Sequence, residues 1–176
     1  MRELSILIVE DDPLTRKALR VMLEHEDYPV DEAIDGVMAV EMIADGYYDV
    51  VITDMNMPGT INGLGVLERC LELRPHTAVI VATGFATVED SVEAMKKGAV
   101  DYLVNPVKRA ELALRLDNIA ASKRLVKEAL DLREAITVTE ENAERTIREQ
   151  EFLIADLRLR FEQLRKVIAD KALAPG

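Results

Sequence analysis

Four short runs of almost uninterrupted apolar residues, Leu4 to Val9, Val50 to Thr53, Ala78 to Ala82 and Tyr102 to Val104, constrain this chain more than any other feature. A strand with one face in water alternates apolar and polar side chains. A run without that alternation needs cover on both faces, as in a parallel sheet held between layers of helix. Pro29 to Ala33 supplies a fifth, more mixed strand. Between these runs, Leu14 to His25, Val37 to Ala44, Leu64 to Leu73 and Val88 to Lys97 carry apolar residues at helical spacing. Pro13, Gly36, Gly46, Gly63, Pro75 and Gly98 mark the junctions. The pattern predicts an α/β domain, a doubly wound parallel sheet of five strands, whose ligands bind beyond the carboxyl ends of the strands. Asp11, Asp12, Asp54 and Thr83 fall at such ends.

The run Ile6-Leu7-Ile8-Val9 leads into Glu10-Asp11-Asp12, and Val50-Val51-Ile52-Thr53 leads into Asp54. Carboxylates delivered by two strand ends can converge on one divalent cation. A carboxylate that attacks a phosphodonor needs such a cation to offset the charge of the incoming group, and oxygen ligands suit Mg²⁺. Without a cation, the clustered acids raise one another's pKa. Asp12, directly before Pro13, also has the position of a helix N-cap.

Four segments in register resemble the receiver domain of two-component response regulators: Leu7 to Asp12, Asp49 to Gly59, Val81-Ala82-Thr83-Gly84 and Lys97 to Leu103. The resemblance implies the flavodoxin-like, receiver-type fold. It implies that Asp54 is the phosphoacceptor, that Asp11, Asp12 and Asp54 hold Mg²⁺, that Thr83 contacts a phosphoryl oxygen and that Tyr102 is the switch aromatic. It also implies a sensor histidine kinase or phosphotransfer protein as phosphodonor, with an effector domain or protein downstream. Two departures stand out. Asn105 precedes Pro106 where the family has a lysine, so a hydrogen-bond donor without charge replaces an ammonium. The loop from Met55 to Gly63 is one residue longer than the family's.

The chain of 176 residues carries a net charge of −11, unevenly spread: residues 1 to 106 hold eight basic against twenty acidic residues, whereas the remainder is almost balanced. The acidic front half repels phosphates, and the tail has no basic patch, so no DNA-binding region is expected. Cys70 is alone and reads as a core thiol. No apolar run approaches the ~20 residues of a membrane span, and no signal-peptide pattern opens the chain; a cytoplasmic protein is expected.

Two domains are predicted, a receiver at 1–106 and a helical coiled-coil segment at 107–176. The second has no proline or glycine before Pro175-Gly176. Steps of three and four give a seam through Leu112, Ile119 and Val126, then Arg133 and Glu140, then Ile147, Ile154, Phe161 and Ile168. Arg115, Ser122, Ala129, Ile136, Ala143, Gln150, Leu157 and Leu164 lie between them. A helix of about 65 residues reaches on the order of 95 Å and cannot bury such a stripe alone, which predicts a homodimer through a parallel coiled coil. Thr137 to Glu140 fits a capping box, an alternative that breaks the helix there. The expected function is a receiver phosphorylated on Asp54 that signals through a dimeric helical extension and is not an enzyme beyond its own phosphoryl transfer. The alternatives are a constitutive dimeric pseudo-receiver and a Mg²⁺-dependent hydrolase. The latter is disfavoured because Asp54-Met55-Asn56 lacks a second acid.

Overall fold

The computed structural model describes residues 4–84 and 87–172, apart from the side chains of Leu164 and of residues 166–172. The expectations placed on Leu164, Ile168 and Pro175-Gly176 lie outside the described residues. In chain order the elements are β1 (Ile6–Val9), α1 (Pro13–Glu24), β2 (Val30–Ala33), α2 (Gly36–Asp45), β3 (Val50–Asp54), α3 (Gly63–Leu73), β4 (Ala78–Thr83), α4 (Val88–Lys96), β5 (Asp101–Val104) and α5 (Arg109–Ala172). The five strands are all parallel and ordered β2-β1-β3-β4-β5. This is the doubly wound, flavodoxin-like sheet expected from the apolar runs.

The period of two along each strand sorts the core into two layers. Leu7, Val9, Val51, Val79 and Val81 face one way, onto Ile43 of α2 and Val66, Leu67 and Cys70 of α3. Ile6, Ile8, Val50, Ile52 and Ile80 face the other, onto Leu19 and Leu23 of α1 and Leu112 and Leu116 of α5. Both layers are dry, which is why these strands could not alternate with polar residues. Cys70 is buried in the first layer as a free thiol, as its neighbours in sequence suggested.

The chain divides into two units after Lys123. That boundary lies well past the expected one at 106, because the start of α5 belongs to the first core: Leu112 and Leu116 are buried, and Ile119 and Ala120 pack on the same layer. Fully burying a leucine contributes about 1.5–3 kcal/mol, so these residues cannot be assigned to an exposed coil. Within the first unit, Arg115 pairs with Asp101 at 3.0 Å and Lys123 with Asp49 at 2.9 Å.

The second unit is the continuation of α5, with exposed side chains at nearly every described position. The capping box at Thr137 to Glu140 does not start a new helix. Thr137 Oγ1 donates back to the Arg133 carbonyl at 3.1 Å and Thr139 Oγ1 to that of Ala135 at 2.8 Å, the bonds hydroxyls make inside a continuous helix. Among the described residues, no helix is long and apolar enough to cross a membrane.

Candidate functional site

The strand order reverses between β1 and β3: from β1 the chain winds outward to β2, and from β3 to β4 and β5. Connections leave the two central strands toward opposite faces, so a crevice opens beyond their carboxyl ends. Glu10 and Asp11 follow β1 directly, and Asp54 is the last residue of β3. Carboxylate oxygens of Glu10, Asp11 and Asp54 lie within 4.8 Å of one another, the one such grouping of potential metal ligands among the described residues.

The set differs from the expected Asp11, Asp12 and Asp54 at one position. Asp12 caps α1: its Oδ2 accepts from the Thr15 backbone N–H and from the Thr15 hydroxyl, both at 2.7 Å. Those bonds hold its carboxyl below the usual range. Glu10 takes its place in the cluster. It is 4% exposed, and Oε1 accepts from the Asp12 backbone N–H at 3.3 Å. Arg16 fastens this acidic turn from behind, donating to the carbonyls of Glu10 at 2.7 Å and Asp11 at 3.3 Å.

Burial first, and then the charges of Asp54, Asp11 and Asp12, push the Glu10 carboxyl up to about 7, against one opposing hydrogen bond from Asp12. Burial also raises Asp54, although the backbone N–H groups of Asn56 and Met55 and the Thr83 side chain pull the other way. A cluster that binds protons this readily is one that a divalent cation would relieve. Three hard oxygen donors without nitrogen or sulfur favour Mg²⁺ or a similar ion over a softer metal.

Thr83 ends β4 fully buried, and its Oγ1 accepts from Asn56 Nδ2 at 3.2 Å. Asn56 thus joins the loop after Asp54 to the neighbouring strand end, a role the sequence reading did not assign. Tyr102 is half-buried in β5 and its ring packs against the first core layer. Its hydroxyl is buried without a hydrogen-bond partner among the described residues. Burial, then the charges of Asp90 and Asp54, raise its pKa. Asn105 is half-buried just past β5, and its backbone N–H donates to the Thr83 carbonyl at 2.8 Å. Lys108 is exposed.

Comparison with known proteins gives one consistent result. Residues 6–117 match the family model described as "Response regulator receiver domain". The chain is 32% identical over 123 residues to the transcriptional regulatory protein ZraR of Klebsiella oxytoca, covering 70% of this chain and 28% of that one. It is 34% identical over 114 residues to the transcriptional regulatory protein ResD of Bacillus subtilis, covering 65% and 47% respectively. The chain therefore spans less than half the length of either relative. Among solved structures, a response regulator receiver domain protein from Clostridium thermocellum is 30% identical, with a TM-score of 0.66 over 70% of this chain and 98% of that one. The receiver domain of sensor histidine kinase PA1611 from Pseudomonas aeruginosa PAO1 is 28% identical, with a TM-score of 0.62 over 68% and 99%. That structure is described with a magnesium ion coordinated in its active site cleft.

Proposed function

Because the chain belongs to the response regulator receiver domain family, we propose that Asp54 is its phosphoacceptor and that the donor is a phosphohistidine on a sensor kinase or phosphotransfer protein. One observation carries the reading: the Asp54 carboxylate shares a crevice with those of Glu10 and Asp11 and is hydrogen-bonded to the buried Thr83. In the transfer, an Asp54 carboxylate oxygen forms the new O–P bond as the donor's N–P bond breaks. The electron pair returns to the imidazole nitrogen, which takes up a proton from water. Glu10, Asp11 and Asp54 are the residues that would hold Mg²⁺, whose charge offsets that of the phosphoryl oxygens.

The remaining residues handle the product. The Thr83 hydroxyl donates to a phosphoryl oxygen, and the Tyr102 hydroxyl, without a hydrogen-bond partner among the described residues, leaves that side chain free to change rotamer without breaking a hydrogen bond. Asn105 supplies a neutral donor where the family's lysine supplies charge. The signal passes to a homodimer formed through α5 beyond Lys123 and from there to an effector domain or protein. Exposed Leu125, Leu132, Ile154 and Leu157 support self-association, and the relatives' names as transcriptional regulators support an effector. A cytoplasmic location suits this role.

Incubation with Mg²⁺ and a small acyl phosphate, followed by intact mass measurement, tests the reading. The expected result is the gain of one phosphoryl group, absent from Asp54→Asn and from samples in excess chelator. No gain with any donor would leave a constitutive dimeric pseudo-receiver as the better account. Asn105→Lys is expected to speed labelling about tenfold, ~1.4 kcal/mol of barrier, by restoring a charge beside the incoming phosphoryl group. An unchanged labelling rate would mean that position 105 does not face that group.

A further inference from the structure

The continuation of α5 past Lys123 is helical throughout its described length, yet leaves Leu125, Leu132, Ile154, Leu157 and Phe161 between 49% and 65% exposed. Steps of 4-3-4-3-4 from Leu125 arrive at Ala143, and the same steps taken backwards from Phe161 also arrive at Ala143. The first half of this seam uses Leu125 and Leu132 where the regular repeat would use Val126 and Arg133, so the polar middle is a four-residue stutter centred on Ala143. A stutter locally unwinds a coiled coil without interrupting its seam.

We infer that residues 125–161 of two copies pair antiparallel, and not in the parallel sense expected from the regular repeat, about a two-fold axis at Ala143. This rests on the proposed self-association of the helix and assigns its register and direction. Antiparallel pairing sets Leu125 against the partner's Phe161, Ala129 against the partner's Leu157 and Leu132 against the partner's Ile154. The inner layers of the same register set Ile136 against the partner's Gln150 and Thr139 against the partner's Ile147, so the apolar contacts concentrate at the two ends. The overlap is 37 residues, about 55 Å of helix.

Charge fixes the direction. In the antiparallel register the flanking positions bring Glu128 to the partner's Arg160 and Arg133 to the partner's Glu151, each contact occurring twice by symmetry. The one like-charged approach, Glu140 to the partner's Glu144, is tempered within each chain by Arg148, whose Nη1 lies 3.7 Å from Glu144 Oε2. Parallel pairing keeps one opposite-charge contact, Glu128 to the partner's Arg133, and adds a repulsive one, Arg160 to the partner's Arg165. Flanking charges of this kind set partner orientation in coiled coils more than they set affinity.

The test uses the full chain. Sedimentation first establishes whether it is a dimer, and Ala143→Cys reports pairing in either direction, because Ala143 faces its own copy in both. Leu132→Cys and Ile154→Cys variants are then mixed in a thiol–disulfide redox buffer and their disulfides mapped by peptide mass spectrometry, Cys70 being buried. The expected outcome is a dimer, a 143–143 disulfide and a dominant 132–154 disulfide. Dominant 132–132 and 154–154 disulfides alongside the 143–143 one would overturn the direction while keeping the dimer. A monomer without a 143–143 disulfide would overturn self-association itself, and a sedimenting tetramer would overturn the two-helix pairing.

Discussion

A chain ending at Pro106 is expected not to fold, although every strand and the whole acidic crevice lie before that point. Truncation there removes Leu112 and Leu116, 2% and 1% exposed, and uncovers one face of the central strands, including Ile6, Ile8 and Ile52. Truncating one buried leucine to alanine typically costs about 2–5 kcal/mol, and an entire domain is stable by only about 5–15 kcal/mol. Losing both side chains together with Ile119 and Ala120 is therefore comparable to the whole reserve. The ion pairs that accompany the helix, Arg109 with Glu26 and Arg115 with Asp101, are half in solvent and contribute little. Far-UV circular dichroism and urea unfolding decide the matter. A chain of residues 1–123 should unfold cooperatively, Leu112→Ala and Leu116→Ala should each lose about 2–5 kcal/mol in that background, and residues 1–106 should show no unfolding transition. A cooperative transition in the shortest chain would contradict the boundary at Lys123.

The second large effect is a pH dependence of the metal-free protein, set by Glu10. Its carboxyl titrates near 4.5 in an unfolded chain and at about 7 when folded. Below about 4.5 both states are protonated and Glu10 carries no penalty. As pH rises through the window between these values, the unfolded state releases its proton first, so the folded state loses stability; above about 7 the whole penalty is present. Glu10 is almost fully buried, and the shift corresponds to at most about 3 kcal/mol. Asp54, also raised, acts in the same direction, whereas the lowered pKa of exposed Asp12 opposes both. In chelator, wild-type protein should therefore be less stable toward urea at pH 8 than at pH 5, and Glu10→Gln should flatten much of that slope. Gln keeps an oxygen for the Asp12 N–H, so the comparison isolates the charge. Equal slopes in the two proteins would remove Glu10 from the cluster's electrostatics. Added Mg²⁺ should recover more stability in wild type than in Glu10→Gln, and more at pH 8 than at pH 5, because ligand binding to the folded state alone stabilises it.

The strands were legible because burial on both faces leaves an unmistakable mark, and each observed strand lies within a residue or two of its apolar run. The crevice was legible for a related reason: Asp11, Asp54 and Thr83 sit where such runs stop. The substitution of Glu10 for Asp12 was also readable in principle. Pro13 fixes where α1 begins, and a carboxylate in the preceding position with Thr15 beyond it is committed to the helix terminus. The sheet ends before that commitment, which leaves Glu10 for the crevice. The boundary at 106 was misplaced because Pro106 punctuates the chain strongly. Leu112, Leu116, Ile119 and Ala120 have the spacing of one helix face, but spacing does not say whether a face meets the sheet or another helix. Asn56 and Thr83 are 27 positions apart, and only the pairing of β3 with β4 brings them together.

The loop between Asp54 and α3 is held on one side by close backbone packing at two glycines. A Cβ on Gly63 would lie 2.0 Å from the Asp54 carbonyl oxygen, and one on Gly36 would lie 2.2 Å from that of Ile61. Main chain is packed against main chain there, with no side chain between to rotate aside. On the opposite shoulder the only hydrogen bond from this loop to β4 side chains among those described is from Asn56 to Thr83, which one torsion can release. The crevice thus has an anvil on one side and a latch on the other. For the phosphorylation proposed at Asp54, the Asn56–Thr83 hydrogen bond is therefore the contact expected to yield before the backbone packing at Gly63 and Gly36.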